Sequence, residues 1–375
     1  MTKVYLIRHA EAEGNIFRRA HGQYNGLIIG RGYRQIEKLR ERFDGISIDA
    51  VYSSDLTRTS VTASAIYEPK NLPLIKDERL REVNMGEWED VAWGDLETRE
   101  PEMMKYFNND PVRWSVRGSE QHSKVTLRMT ECISEIAARH EGESIALFSH
   151  GFAIRSFISG IMGVPSHEVK KVPLCDNTAV ALLSYEKGRF TIEYQGDNSH
   201  VPIEDSTFAR QTWWREEKEQ VRENLRFFKY DDACDKEMRK QLHDELNPDN
   251  CPEIAVKTVS DFKYTAFLGK EAVGILWTST AAVNTNDSND IGIQKGNIDC
   301  IYVRPGFRGK NYAIQMVGEA VAQFRRRRIG MISVTVPGDS DAERFFNAYG
   351  FKKTGDSYRG DGWQVMENNY KNWDL

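Results

Sequence analysis

A chain of 375 residues, 40% hydrophobic and 29% charged, is long enough for two domains with real cores and too apolar to stay disordered. Its net charge of −5 and pI near 6.0 speak against sequence-independent nucleic-acid binding, and no run approaches the roughly 18 apolar residues of a membrane span. Five scattered cysteines with no CxxC pair argue against structural zinc or a disulfide framework and suit a reducing cytoplasm, and the start reads as a strand, not a signal peptide.

Residues 2–7 are predicted as an apolar strand that runs into Arg8-His9. Residues 32–43 read as a helix with Ile36, Leu39 and Phe43 on one face. A second strand, 48–52, ends in Ser53-Ser54-Asp55, any of which suits the N-cap of a helix over 56–67. Residues 77–89 read as a loop carrying Glu82, Gly86 and Trp88, and 95–117, with Pro101 and Pro111, as a polar and aromatic insertion. A helix over 125–140 precedes a strand over 144–148, which ends in Ser149-His150-Gly151, and a helix follows over 152–162. Residues 178–185 and 190–195 form a strand pair around Glu186-Lys187-Gly188. Such alternation implies a mostly parallel sheet covered by helices.

Three strands therefore end in polar residues, and in a doubly wound sheet those ends meet in one crevice. Arg8, Arg58, two histidines and the Glu82 carboxylate make a set suited to phosphoryl transfer. Guanidinium groups clamp phosphate oxygens in pairs and offset developing charge. A neutral histidine attacks phosphorus, and a carboxylic acid protonates the leaving oxygen. No metal is required.

Arg8-His9-Ala10-Glu11-Ala12-Glu13-Gly14-Asn15 resembles the RHGxTxxN motif of the histidine phosphatase superfamily, the phosphoglycerate-mutase-like fold. Ser53-Ser54-Asp55-Leu56-Thr57-Arg58-Thr59 with Thr62-Ala63, Leu80-Arg81-Glu82 with Gly86-Glu87-Trp88-Glu89, and Ser149-His150-Gly151 follow in family order over about the first 200 residues. The resemblance implies His9 as the phosphorylated nucleophile, Arg8, Arg58 and His150 as the phosphate pocket, Glu82 as proton donor, and Asn15 at the pocket rim. Ala10 replaces the usual glycine. Ala12 replaces a frequent Thr or Ser, a lost hydrogen bond worth about 1 kcal/mol. Ile29 stands where a Thr often caps the first helix, and Gly118-Ser119-Glu120 where Gly-Glu-Ser is usual. His21, His122 and His140 have no such context and are expected on the surface or in loops. Trp88 and Trp93 are expected to be packing residues.

Residues 203–207 read as a loop. Residues 213–225 read as a charge-rich helix that docks two domains through Trp213 and Trp214, or that belongs to the second domain. Beyond it come a strand over 227–230, a helix over 235–246, and a hairpin of 264–268 and 272–280 around Gly269-Lys270-Glu271. A loop over 285–292, strand 297–303, and a turn, Arg304 to Asn311, lead into a helix ending near 328. Ile314, Val317, Val321 and Phe324 line its buried face. Strand 331–336, helix 340–349 and strand 363–367 complete the segment. A strand, a basic glycine-containing turn and a helix aim backbone amides at a pyrophosphate. The Arg325–Arg328 run suits a helix C-terminus better than a nucleic-acid patch.

This segment resembles the GNAT N-acetyltransferase superfamily, whose [RQ]xxGx[GA] turn binds acetyl-CoA. The resemblance places cofactor contacts at Val303, Arg308, Gly309, Lys310, Asn311, Tyr312 and Ala313. Asn311 stands for the middle glycine and tolerates positive φ. Ala342 to Phe351 resembles the family's A..FY...GF, but Phe346 replaces the tyrosine that protonates the departing thiolate. Asp299, or another carboxylate on that strand, is a candidate general base.

The expectation is an α/β protein of two domains. A three-layer α/β/α phosphoglycerate mutase-like domain with a mostly parallel sheet spans residues 1–202, a linker or docking helix 203–224, and a GNAT-like α+β domain with a mixed sheet 225–375. The expected partners are a small phosphorylated metabolite and an amine acceptor, with neither nucleic acid nor membrane, and the expected compartment is the cytoplasm. The expected cofactor is acetyl-CoA in the second domain and none in the first. The expected function is phosphomonoester hydrolysis through phosphohistidine plus N-acetyl transfer. A phosphatase regulated by a non-catalytic acetyl-CoA-binding domain, or a phosphoglycerate mutase, is the alternative.

Overall fold

The computed structural model describes residues 1–215, 223–229, 260–282, 294–357 and 363–369. The chain splits into two compact units, Met1–Asn15, Ala20–Val91 and Leu96–Glu223 in one, and Ile16–Arg19, Ala92–Asp95 and Asn224–Leu375 in the other.

The first unit is built on a six-stranded sheet. Its strands are β1 (Thr2–Arg8), β2 (Ala50–Ser53), β3 (Leu74–Lys76), β4 (Ser144–Ser149), β5 (Val180–Glu186) and β6 (Arg189–Asp197), in the spatial order β3-β2-β4-β1-β5-β6. The first four are mutually parallel, and β5 and β6 form an antiparallel edge. Along residues 1–161 the helices are α1 (Glu13–Phe17), α2 (Gly30–Phe43), α3 (Thr57–Tyr67), α4 (Trp93–Arg99), α5 (Pro101–Asn109), α6 (His122–Arg139) and α7 (Gly151–Ile161), of which α1 and α4 fall partly in the second unit's segments. Alternation along β1 sends Tyr5 and Ile7 to one face, where they join Ile36, Leu39 and Phe43 of α2 and Ala63 and Ile66 of α3. Val4 and Leu6 are buried as well.

Several local expectations are corrected. The N-cap of α3 is Leu56, with no side-chain cap. The Ser54 hydroxyl is taken up by the Leu56 amide at 3.3 Å and by His150 at 3.0 Å. The insertion over 95–117 holds α4 and α5, and Pro101 opens α5 at a position where its missing N–H costs nothing. The loop over 77–89 contains two 3-10 turns, Glu78–Leu80 and Gly86–Trp88. Ile29 precedes α2 without capping it, as its apolar side chain dictates.

In the second unit the strands β7 (Arg226–Lys229), β8 (Phe262–Leu268), β9 (Glu271–Ala282), β10 (Gln294–Val303), β11 (Met331–Pro337), β12 (Lys352–Ser357) and β13 (Trp363–Asn369) form one sheet ordered β12-β13-β11-β10-β9-β8-β7. Only β10 and β11 are parallel, paired from Lys295↔Met331 to Ile298↔Val334. A bulge between Ile298 and Cys300 lies where that pairing stops, while β10 runs on to Val303 against β9. Helix α8 (Tyr312–Arg326) buries Ile314, Val317, Val321 and Phe324, and α9 (Asp341–Ala348) follows β11. Close packing of α8 on the sheet requires Gly296, since a Cβ there would stand 2.7 Å from the Phe324 ring. The expected helix over 235–246, the loop over 285–292 and most of the helix over 213–225 lie outside the described residues. At 211–215 the chain is irregular, and Trp214 stacks on Phe208 with ring centroids 4.9 Å apart.

Candidate active site

Strand register decides which residues meet. β4 lies between β1 and β2, with Arg8 opposite Ser149 and Ser53 opposite Phe148, so the three polar strand ends are neighbours. The His9 amide continues this edge, donating to Ser149 O at 3.0 Å, and Ser54 N donates to Phe148 O at 3.0 Å.

His9 is buried, and its ring lies 5.3 Å from that of His150. Its Nδ1 stands 2.7 Å from Ala10 O. A carbonyl only accepts, so Nδ1 carries the proton and Nε2 keeps the lone pair. Burial, then the charges of Arg58 and Arg8, hold this imidazole well below its usual titration range, and it is neutral near pH 7. The Ala10 amide donates to Thr62 Oγ1 at 2.9 Å, and Asn177 Nδ2 donates to His9 O at 2.8 Å.

Both arginines are dry. Arg8 Nη1 donates to Cys175 O at 2.5 Å. Arg58 donates through Nη2 to Gly22 O at 2.6 Å and through Nη1 to Tyr24 O at 3.1 Å, and Nη1 lies 3.0 Å from His21 Nε2. Burial brings the Arg58 pKa down to about 10. His150 Nε2 lies 3.0 Å from Ser54 Oγ. Burial keeps His150 neutral, with Arg58 the next cause. Arg8 Nε, Arg58 Nε and His150 Nδ1 are all buried without a hydrogen-bond partner among the described residues. Buried polar nitrogens are rarely left so, and the two guanidinium Nε groups can only donate.

Glu82 is fixed by backbone donors. Its Oε1 accepts from Ala153 N at 2.8 Å and Val83 N at 3.0 Å, and its Oε2 from Phe152 N at 3.0 Å. Two of these amides belong to the first turn of α7, which starts beside His150. Arg128 donates to the carbonyls of Arg79, Arg81 and Glu82 and pairs with Glu120, so it clamps the Glu82 loop from behind. Asn15 turns its Oδ1 to the Ala12 amide at 3.0 Å, where it shapes the loop after His9.

His21, expected on the surface or in a loop, belongs to the pocket, with its ring 6.2 Å from that of His9. Sequence reasoning missed it because no strand end delivers it. Glu89 belongs to the matched Gly86-Glu87-Trp88-Glu89 stretch but has no role assigned from the sequence; its partly buried carboxylate accepts from Gln23 N, Tyr24 N and Met85 N and ties the His21 loop to the Glu82 loop. Burial raises the pKa of Glu89. His122 is buried, with Nδ1 3.2 Å from Ser166 Oγ, and His140 bridges Tyr52 and Glu143. Trp88 is a packing residue, buried edge-on against Trp114 and Phe107.

The second unit presents the turn before α8. Gly309 and Asn311 adopt left-handed backbone at φ +76 and +61, and Asn311 is the N-cap without a side-chain cap bond. Arg308 Nε donates to Val303 O at 2.8 Å and Lys310 Nζ to Gly306 O at 3.1 Å. An uncapped first turn preceded by two cations is chemistry that fits a pyrophosphate. Tyr312 is buried at the start of α8. Asp299, at the β10 bulge, accepts from Ser260 and Ser279 hydroxyls at 2.8 Å each, and burial raises its pKa. Phe346 is buried edge-on against Phe345 and Phe351 and offers no phenol.

Comparison with known proteins separates the same two halves. A profile of the histidine phosphatase superfamily (branch 1) matches residues 4–198, and one of the acetyltransferase (GNAT) domain matches residues 273–368. "Probable phosphoglycerate mutase GpmB" of Proteus mirabilis is 31% identical over 206 residues, 54% of this chain and 95% of the relative. "Phosphoserine phosphatase 1" of Hydrogenobacter thermophilus is 29% identical over 192 residues, 51% of this chain and 90% of the relative. The solved structure of Bacillus stearothermophilus YhfR is 27% identical, covers 54% of this chain and 100% of its own, and superposes with a TM-score of 0.52.

Proposed function

Because this chain belongs to the histidine phosphatase superfamily (branch 1), we propose that its first unit hydrolyses phosphomonoesters through a phosphohistidine on His9. It also carries a GNAT acetyltransferase domain. The observation that carries the reading is a neutral His9 accompanied by three buried nitrogens, Arg8 Nε, Arg58 Nε and His150 Nδ1, that have no hydrogen-bond partner among the described residues. In the proposed cycle these nitrogens hold the phosphoryl oxygens. His9 Nε2 attacks phosphorus as the ester P–O bond breaks, and Glu82 gives its proton to the leaving alkoxide. Glu82 then takes a proton from water, the hydroxide attacks, the P–N bond breaks, and His9 is restored with inorganic phosphate released. The dry site strengthens each contact to the developing charge.

The relatives' names supply two substrate hypotheses, a phosphoserine-like monoester and a phosphoglycerate. Incubation with 3-phosphoglycerate separates hydrolysis from mutation. Phosphate released faster than the 2-isomer appears supports a phosphatase, and the reverse supports a mutase.

The second unit is proposed to bind acetyl-CoA through Val303 and Arg308 to Ala313. Gly309 and Asn311 set the turn, and the first-turn amides of α8 face the pyrophosphate. Acetyl-CoA supplies an activated acyl thioester, and Asp299 is placed in the role of base toward the amine. Phe346 brings no proton to that reaction, which favours a sensing role as the second reading. Calorimetric titration of acetyl-CoA into the full chain, with the phosphatase rate followed in parallel, distinguishes them. Binding that alters the phosphatase rate without acetyl transfer supports sensing, and no binding removes both.

A further inference from the structure

We propose that His21 is a positioning residue of the phosphate pocket, holding the Arg58 guanidinium so that its Nε is left for the phosphoryl group. The inference rests on the phosphatase reading above. Arg58 has only donors, so His21 Nε2, 3.0 Å from Nη1, must accept. Gly22 O and Tyr24 O accept the other two bonds, at 2.6 and 3.1 Å. One short loop, residues 21–24, thus occupies the Nη side of the guanidinium. Two of its acceptors are backbone carbonyls, and among the described residues His21 is the one side chain that accepts from Arg58.

The imidazole is held in a slot that only glycine can line. A Cβ on Gly14 would stand 2.3 Å from His21 Nδ1, and one on Gly26 would stand 2.6 Å from Nε2. Tyr24 covers a face of the ring, stacked at 4.4 Å between centroids. Gly22 is closed in the same way, since its Cβ would stand 2.1 Å from Glu89 Oε1. Glycine at 14, 22 and 26 therefore lets the chain wrap tightly enough to bring this ring beside His9 and Arg58. Ring shape, stacking and the acceptor nitrogen are separable by substitution, and that makes the role testable.

The test compares full-length wild type with His21→Phe, His21→Gln and His9→Ala. Turnover of p-nitrophenyl phosphate and affinity for orthovanadate are measured, with thermal unfolding as the check on fold. His21→Phe keeps a ring against Tyr24 but has no acceptor. Its kcat/KM and orthovanadate affinity are expected to fall roughly 10- to 100-fold, the worth of one hydrogen bond to a charged group. His21→Gln offers an amide oxygen to Arg58 and is expected within about threefold of wild type on the same scale. If His21→Phe fails to fold, His21→Asn, which is shorter and polar, replaces it, with the same loss expected because its oxygen falls short of Arg58. A phenylalanine variant equal to wild type, or a glutamine variant as poor as phenylalanine, overturns the proposal. Should wild type turn over substrate and His9→Ala not, either result sinks the role of His21 alone. A wild type that neither hydrolyses the ester nor binds orthovanadate overturns the phosphatase reading as well.

Discussion

The pocket around His9 and the turn before α8 both gather cations, but in opposite surroundings. Arg8 and Arg58 are buried, and Arg58 is desolvated enough to bring its pKa down to about 10. Arg308 and Lys310 are exposed and rest on carbonyls of their own turn. In the dry pocket a charge has few competitors, so each contact is strong and each loss expensive. In a wet turn, water and salt would share the charge of any bound anion, and each single contact would be weak. The first arrangement suits stabilisation of a transition state, the second the reversible holding of a cofactor.

That contrast orders the expected effects. Replacement of His9 by Ala removes the nucleophile, and kcat for p-nitrophenyl phosphate is expected to fall roughly 10^4-fold or more. Replacement of Arg58 by Ala removes a preorganised charge from the same pocket, with a loss of about 10^2- to 10^3-fold in kcat/KM in steady-state assays. The pH profile comes next. His9 and His150 titrate well below 6.5, so kcat/KM should stay level as the pH falls through 6.5 and drop only in more acid solution. Both imidazoles are buried neutral, so below about 6.5 the unfolded chain binds more protons than the native one. Denaturant midpoints should therefore decline as the pH falls from that value. The smallest effect belongs to the exposed turn. Arg308→Ala is expected to weaken acetyl-CoA binding by about tenfold or less, read by calorimetry. A loss as large as that at Arg58 would erase the contrast between dry and wet sites.

The parts of the pocket that were legible are those a strand delivers. Arg8-His9, Ser53-Ser54-Asp55 and Ser149-His150 each follow an apolar run, and parallel register then sets them side by side. The fold class was legible for the same reason, because alternation of strand and helix is a local pattern. His21 was not legible, since its place comes from a chain reversal between Gly14 and Gly26 that no periodicity records. The signal was there in His21-Gly22 flanked by Gly14 and Gly26, but glycine clusters mark loops far more often than sites. The cap of α3 differs from the expectation because the Ser54 hydroxyl is shared between the local Leu56 amide and the distant His150 ring. β3 and β12 escaped because one has three residues and the other, KKTGDS, lacks apolar alternation.

The central claim is that His9 carries the phosphoryl group. Rapid quenching of the full chain with a radiolabelled phosphomonoester, followed by acid and alkali stability tests and peptide mapping, addresses it directly. The account predicts label on the peptide holding His9, labile in acid and stable in alkali, and none on the His9→Ala variant. Label that survives acid, or undiminished turnover by that variant, would contradict it.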